Sequence, residues 1–247
     1  MRPVLGTPVA PLGRMNRGIY AAATAMAAAE RRVETISSNL ANAGAVGFKR
    51  KGVITHSFQN QMNKLMAPQV TTRESTDFSQ GILRTTGGDF DLALEGEGFF
   101  AVDTAEGQVF TRNGAFHIDQ DGVLQTRDGY PVAWEGSRGT IDPAGGSVSV
   151  DSGGNVWQGS NNVGRIRIVD FADSSKLHVD RHGNMRADAD GIEQPATGIV
   201  RQGMLENANV NAIDEMVGLI AAQRSFESSA RLISSIEQIM RRITSGR

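Results

Sequence analysis

The chain has four histidines, at positions 56, 117, 178 and 182, and only His178 and His182 stand at a ligand-like spacing. Side chains four residues apart share a face on a helix, where they can hold a metal together. Here the surrounding segment carries Val179, Asp180 and the turn-former Gly183, so the pair reads as two surface histidines on a strand and turn. Asp119-Gln120-Asp121-Gly122 resembles the opening of a calcium loop, yet six positions past Gly122, where a bidentate Glu is expected, stands the shorter Asp128, in the next turn. Gly96-Glu97-Gly98 precedes two Phe residues rather than a helix, lacks a Lys and has acidic neighbours that repel phosphate, which argues against a nucleotide loop. Asp89 with Asp91 and Glu95 with Glu97 alternate along one strand face; a glycosidase can use such a pair, but a solvated face explains it better. There is no Gly-x-Ser-x-Gly elbow and no Cys, which removes thiolate nucleophiles, Cys-based zinc sites and disulfides. The sequence therefore assigns no catalytic residue, cofactor or metal, and points to a chain that is not an enzyme.

Of the 247 residues, 39% are hydrophobic and 21% charged, the range of one large or two small globular domains. A net charge of -2 gives no electrostatic reason to bind nucleic acid or an anionic membrane. No run approaches the roughly 18 apolar residues of a membrane span. Residues 1–15 hold Pro3, Pro8 and Pro11 without the apolar core of a cleaved signal peptide, so they read as a flexible extension, with Met15 as an alternative start.

From Asn16, a plausible N-cap, the pattern turns helical. Ile19, Met26, Val33, Ile36 and Leu40, interleaved with Ala22, Ala29 and Ala43, recur three and four residues apart in the manner of a coiled-coil seam, and Gly44 and Gly47 supply the stop. A second helix is predicted from Ala212 to about Ser245, capped by Asn211, with Asp214 and Glu215 at its positive end and Arg241 and Arg242 at its negative end. Ile213, Val217 and Ile220 form one apolar stripe on it, and Phe226, Ile233, Ile236 and Met240 continue the stripe with a drift that suits more than one packing partner. Between the helices, from about Thr76 to Val200, short β-type runs are punctuated by Gly; Asn113-Gly114, Asp121-Gly122, Asp128-Gly129 and Gly183-Asn184 mark hairpin turns. The expected fold is α+β: terminal helices that pair as a coiled-coil-like discontinuous domain, residues 16–75 and 201–247, with an all-β domain, residues 76–200, inserted between them.

Ile36-Ser37-Ser38-Asn39-Leu40-Ala41-Asn42 followed by Gly47-Phe48-Lys49-Arg50 closely resembles the N-terminal signature of the rod and hook proteins of the bacterial flagellum. Asn39 and Asn42 suit a helix end, where they can bond their own backbone, and Gly47 permits a sharp exit; Ala45 replaces the family's usual Thr. Gly96-Glu97-Gly98-Phe99-Phe100, Thr111-Arg112-Asn113-Gly114-Ala115-Phe116 and Asp128-Gly129-Tyr130-Pro131-Val132 are similar to its β-domain signature, and Leu205-Glu206-Asn207 and Gln223-Arg224-Ser225-Phe226-Glu227 to its last helix and approach. The resemblance covers nearly all the chain from Met15 onward and is closest to the proximal rod member, with distal rod and hook as alternatives and a secreted β-domain adhesin or enzyme further off.

The resemblance implies a structural subunit of a hollow axial drive shaft in the basal body, spanning the periplasm, transmitting torque and conducting exported subunits. Its partners would be copies of itself, other rod and hook-family subunits, and the flagellar type III export apparatus, with no cleaved leader. Phe58 and Met62 match in place the short motif that the family's export gate reads.

Overall fold

The computed structural model describes residues 10–58, 69–180 and 183–245. The fold is α+β, with a long helix toward each end and a β-rich region between them. The chain divides into two units, one of Met1–Leu40, Lys51–Ser75 and Ala212–Arg247, the other of Ala41–Arg50 and Thr76–Asn211.

The first unit holds helix α1 (Ala10–Ala41), the hydrogen-bonded strands β1 (Lys51–Phe58) and β2 (Gln69–Thr76), and helix α2 (Ala212–Ser245). α1 starts ahead of the Asn16 cap expected from the sequence, so residues 10–15 are helical rather than extension. Pro11 falls in the first turn, where a missing N–H and a fixed φ do no harm, and Asn16 becomes an interior residue. Ala22, Ala29 and Ile36 are buried along α1, and Glu215, Ala222 and Ser229 along α2, each set at a spacing of seven residues. A seven-residue period keeps one face in line over two turns. A Cβ at Gly18 would stand 3.5 Å from Ile236 Cδ1, and one at Gly218 would stand 3.4 Å from Ile36 Cδ1, so the helices run antiparallel at close approach. Small residues on the buried faces permit that approach.

The second unit is built from short strands, in chain order β3 (Leu83–Thr85), β4 (Leu92–Glu95), β5 (Phe99–Thr104), β6 (Gly107–Thr111), β7 (Phe116–Ile118), β8 (Leu124–Thr126), β9 (Trp134–Glu135) and β10 (Val148–Val150). There follow β11 (Asn155–Gln158), β12 (Asn161–Ile166), β13 (Ile168–Phe171), β14 (Leu177–Val179), β15 (Met185–Ala187), β16 (Glu193–Pro195), β17 (Ile199–Gln202) and β18 (Met204–Glu206). The largest sheet has six strands in the order β14-β15-β6-β5-β13-β16, beside a four-stranded sheet β10-β11-β12-β9 and the pairs β17-β4, β18-β3 and β7-β8. Strands thus continue past residue 200, the boundary expected from the sequence, and Ala41–Arg50 joins this unit rather than the helical one.

Successive side chains of a strand point to opposite faces, and β5 shows the consequence. Phe100 enters a core with Leu92, Leu94, Phe116, Leu124 and Ile166, whereas its neighbour Phe99 enters a second core with Phe110, Phe171, Leu177 and Met185. An interior strand covered on both faces reads as a continuous apolar run, which is what Phe99-Phe100-Ala101-Val102 is. Edge-to-face ring pairs knit both cores: Phe100 with Phe116 at 5.3 Å and Phe110 with Phe171 at 4.9 Å between centroids.

Several Gly signals are hairpin loops of one design. Asp119 Oδ1 accepts from the N–H groups of Asp121 at 2.9 Å and Val123 at 2.8 Å, with Gly122 at φ 77°. Asp151 repeats it toward Gly153 and Asn155 with Gly154 at φ 83°, and Thr126 Oγ1 makes the second of the two bonds, accepting from Tyr130 N–H at 3.2 Å with Gly129 at φ 80°. Asn113-Gly114 is different and corrects the sequence reading. β6 and β7, which it joins, do not pair with each other. Gly114 is needed because a Cβ there would lie 1.7 Å from Leu92 O, a close backbone approach rather than a turn.

Candidate assembly surface

The apolar residues singled out on the two helices fall into separate environments. Ile36 is buried; Ile19, Met26, Val33 and Leu40 on α1 and Ile233, Ile236 and Met240 on α2 are half-buried. Ile213, Val217, Ile220 and Phe226 are exposed, as is Met216 between them. Ile213, Met216, Val217 and Ile220 follow the i, i+3, i+4, i+7 spacing of one helix face and are between 51% and 72% accessible. That face is distinct from the one on which Glu215, Ala222 and Ser229 are buried. Leu232 and Ile239, seven residues apart, are exposed farther along and escaped the sequence reading, although their spacing was visible there. A contiguous apolar stripe left in water marks an interaction surface. Full burial of each such side chain contributes about 1.5–3 kcal/mol.

The Asn39 side chain of the signature segment is held in a different way from that expected. Asn39 is fully buried and does not bond its own helix end: its Oδ1 accepts from Lys51 N–H at 2.9 Å, and its Nδ2 donates to Lys51 O at 2.8 Å. The carboxamide thus imitates a strand partner for the first residue of β1, and Nδ2 also approaches Glu215 Oε2 at 3.4 Å. Asn42 closes the following turn with its carbonyl, which accepts from Ala45 N–H at 3.0 Å.

In the second unit, Gly47 takes φ 68°, and a Cβ there would lie 2.3 Å from the Arg112 carbonyl carbon. Phe48 is buried beside it. Lys49 Nζ donates to Glu206 Oε1 and to Ser79 O, each at 2.7 Å, while Arg112 Nη1 reaches Glu206 Oε2 at 3.3 Å and Nη2 donates to Gly96 O at 2.7 Å. The Arg112 guanidinium lies 5.2 Å from the centre of the Phe99 ring. Burial pushes the basicity of both Lys49 and Arg112 down, and the Glu206 carboxylate opposes that shift. All three residues stand in the signature segments, but nothing in the sequence says that they meet. One donor of the cluster, Arg112 Nε, is buried without a hydrogen-bond partner; a buried charge cluster of this kind fixes geometry.

The other candidates carry no centre. His178 lies on β14 with Nε2 2.9 Å from Asp188 Oδ1 in an exposed pair, and His182 lies outside the described residues. Phe58 ends β1; its side chain and all of Met62 lie outside the described residues. Among the described residues no three His, Asp or Glu side chains group to hold a metal, and no helix is long and apolar enough to cross a membrane.

Three family models match the chain in order. Residues 19–49 match that described as "Flagella basal body rod protein". Residues 93–158 match "Flagellar hook protein FlgE/F/G D1 domain", and residues 201–245 match "Flagellar basal body rod FlgEFG protein C-terminal". The chain is 34% identical over 235 residues to the flagellar basal-body rod protein FlgF of Caulobacter vibrioides, covering 92% of this chain and 96% of that one. It is also 34% identical to FlgF of Mesorhizobium japonicum, over 89% of this chain and 92% of the relative. Against the rod protein FlgG of Bacillus subtilis it is 30% identical, over 93% and 98%. Matches to both termini and the middle, with relatives spanned almost end to end, show that the chain belongs to the flagellar basal-body rod and hook family.

Proposed function

We propose that the chain is a structural subunit of the flagellar rod that polymerises through α1 and α2 into the hollow axial shaft, at a proximal position. Its family is structural rather than enzymatic, and its members assemble with one another into the flagellar axis. The observation that carries the reading is the exposed stripe Ile213, Met216, Val217 and Ile220, on a helix whose other face is buried within the chain. The two helices pair in a coiled-coil-like manner, and the outward stripe packs on helices of neighbouring copies and of other rod and hook-family subunits. The short stretch between Phe48 and Phe90 supports the proximal position. The subunit reaches the rod, across the periplasm, through the flagellar type III apparatus.

The photo-reactive residue p-benzoylphenylalanine, which inserts into nearby C–H bonds, should cross-link to a neighbouring subunit in isolated basal bodies when it replaces Val217, and should not when it replaces the buried Ala222. The absence of Cys makes a labelling test clean. Free labelling of V217C by a bulky maleimide in intact basal bodies would show that the stripe faces solvent and that the assignment is wrong.

A further inference from the structure

The end of the second unit's chain is fastened to its beginning. β17 pairs with β4, β18 pairs with β3, and Val46 bridges Asn207. Gly47 N–H donates to Glu206 O at 2.7 Å. The Glu206 side chain is 1% accessible, and besides Lys49 and Arg112 its Oε1 accepts from Gly81 N–H at 2.8 Å. Three positions on, Asn209 Oδ1 accepts from Arg50 N–H at 2.6 Å, and its Nδ2 donates to Asp77 O at 2.9 Å and Ser79 O at 3.0 Å. The backbones meet without room for side chains, since a Cβ at Gly81 would lie 2.0 Å from Asn207 O.

Among the described residues, Glu206 is thus the one carboxylate that contacts both Lys49 and Arg112, two cations that are themselves buried. Until it arrives, closing the unit would place both cations out of water without the partner that neutralises them, while β3 and β4 would lack the strands they pair with. Isolated buried charge is too costly to be tolerated, so the unit must stay open around them. The contact spans 157 residues of sequence, and such pairings form only after the intervening chain is available.

We infer that Glu206 is a completion latch: the β-rich unit closes only when residues 204–209 are in place, so a chain threaded N-terminus first stays open until most of it has passed. The latch rests on the geometry above, whereas its use in keeping an exported chain threadable rests on the proposed function.

Native-state hydrogen exchange of the full-length chain tests the latch. The amides of Gly47, Gly81 and Thr86, which bond to Glu206 and Gly203, should exchange with the same protection and denaturant dependence as Ala101 and Val102 in β5. Exchange about 100-fold faster at the first three, with β5 still protected, would show that the latch opens while the unit stays closed, and would overturn the inference. In full-length E206Q, the urea midpoint should fall by about 1 M or more for latch and β5 amides together; loss of protection at Gly81 alone would also overturn it. Secretion separates the two parts. E206Q should still leave the cell, and its retention alongside intact cooperativity in the wild type would sink the export reading and leave the latch standing.

Discussion

The carboxamide of Asn39 forms a two-way hydrogen bond with the backbone of Lys51, accepting from its N–H at 2.9 Å and donating to its carbonyl at 2.8 Å. Asn39→Ala leaves both groups unsatisfied at the start of β1, at a cost of about 2–4 kcal/mol. Asn39→Asp keeps the acceptor but sets a second carboxylate toward Glu215, and should be worse. Tryptic cleavage after Lys51 in the folded chain should rise roughly 30-fold or more in Asn39→Ala; unchanged cleavage would mean that the carboxamide is dispensable.

Val217→Asp and Ile220→Asp alter exposed residues and should change the thermal midpoint of the purified chain little, with effects within about 0.5 kcal/mol. In the rod, each carboxylate would be desolvated at every repeat of the same contact, so both strains should be non-motile. Ile36→Asp, at a buried position, should instead lower the helicity of the monomer itself. A motile Val217→Asp strain would remove the stripe from the interface.

Replacing Phe58 and Met62 together with Ala should reduce secretion through the flagellar apparatus while the urea midpoint of the β-rich unit stays that of the wild type. Normal secretion with a lowered midpoint would identify the pair as packing residues.

Two glycines separate close approach from backbone sign. Gly114→Ala places a methyl carbon 1.7 Å from Leu92 O and should destabilise by about 3 kcal/mol or more, because backbone must move. Gly129 has φ 80° and open space around it, so Gly129→Ala should cost only about 1 kcal/mol, the penalty of a left-handed residue. Urea denaturation compares them directly, and equal losses would refute the distinction.

The acid limb of stability should involve loop aspartates. The Ser79 N–H holds the Asp77 carboxyl below the ordinary range, and the Asn155 side chain with its backbone N–H does the same for Asp151. Because the unfolded chain binds these protons more readily, the contribution is complete above about pH 5 and is lost as pH falls further. Asp151→Asn should flatten the decline of the urea midpoint between about pH 5 and pH 2; an unchanged slope would show that the loop does not report on folding.

What the sequence determined by itself was local. The bounds of α2 followed from the lack of breakers between Ala212 and Ser245, and the seven-residue stripe of α1 from its periodicity, because helix formation depends on neighbours three and four residues away. The loops at Gly122 and Gly129 were legible because a positive φ is a property of a single residue. Only the tertiary structure decided that Ile213, Val217 and Ile220 of α2 are exposed while Glu215, Ala222 and Ser229 are buried, since a helical period marks faces but not which of them meets a partner. It alone brought Asn39 to Lys51, Gly114 to Leu92, and Lys49 and Arg112 to Glu206. Those meetings depend on strand register and chain path over as many as 157 residues, and the residues that meet carry no mark of one another in the intervening sequence.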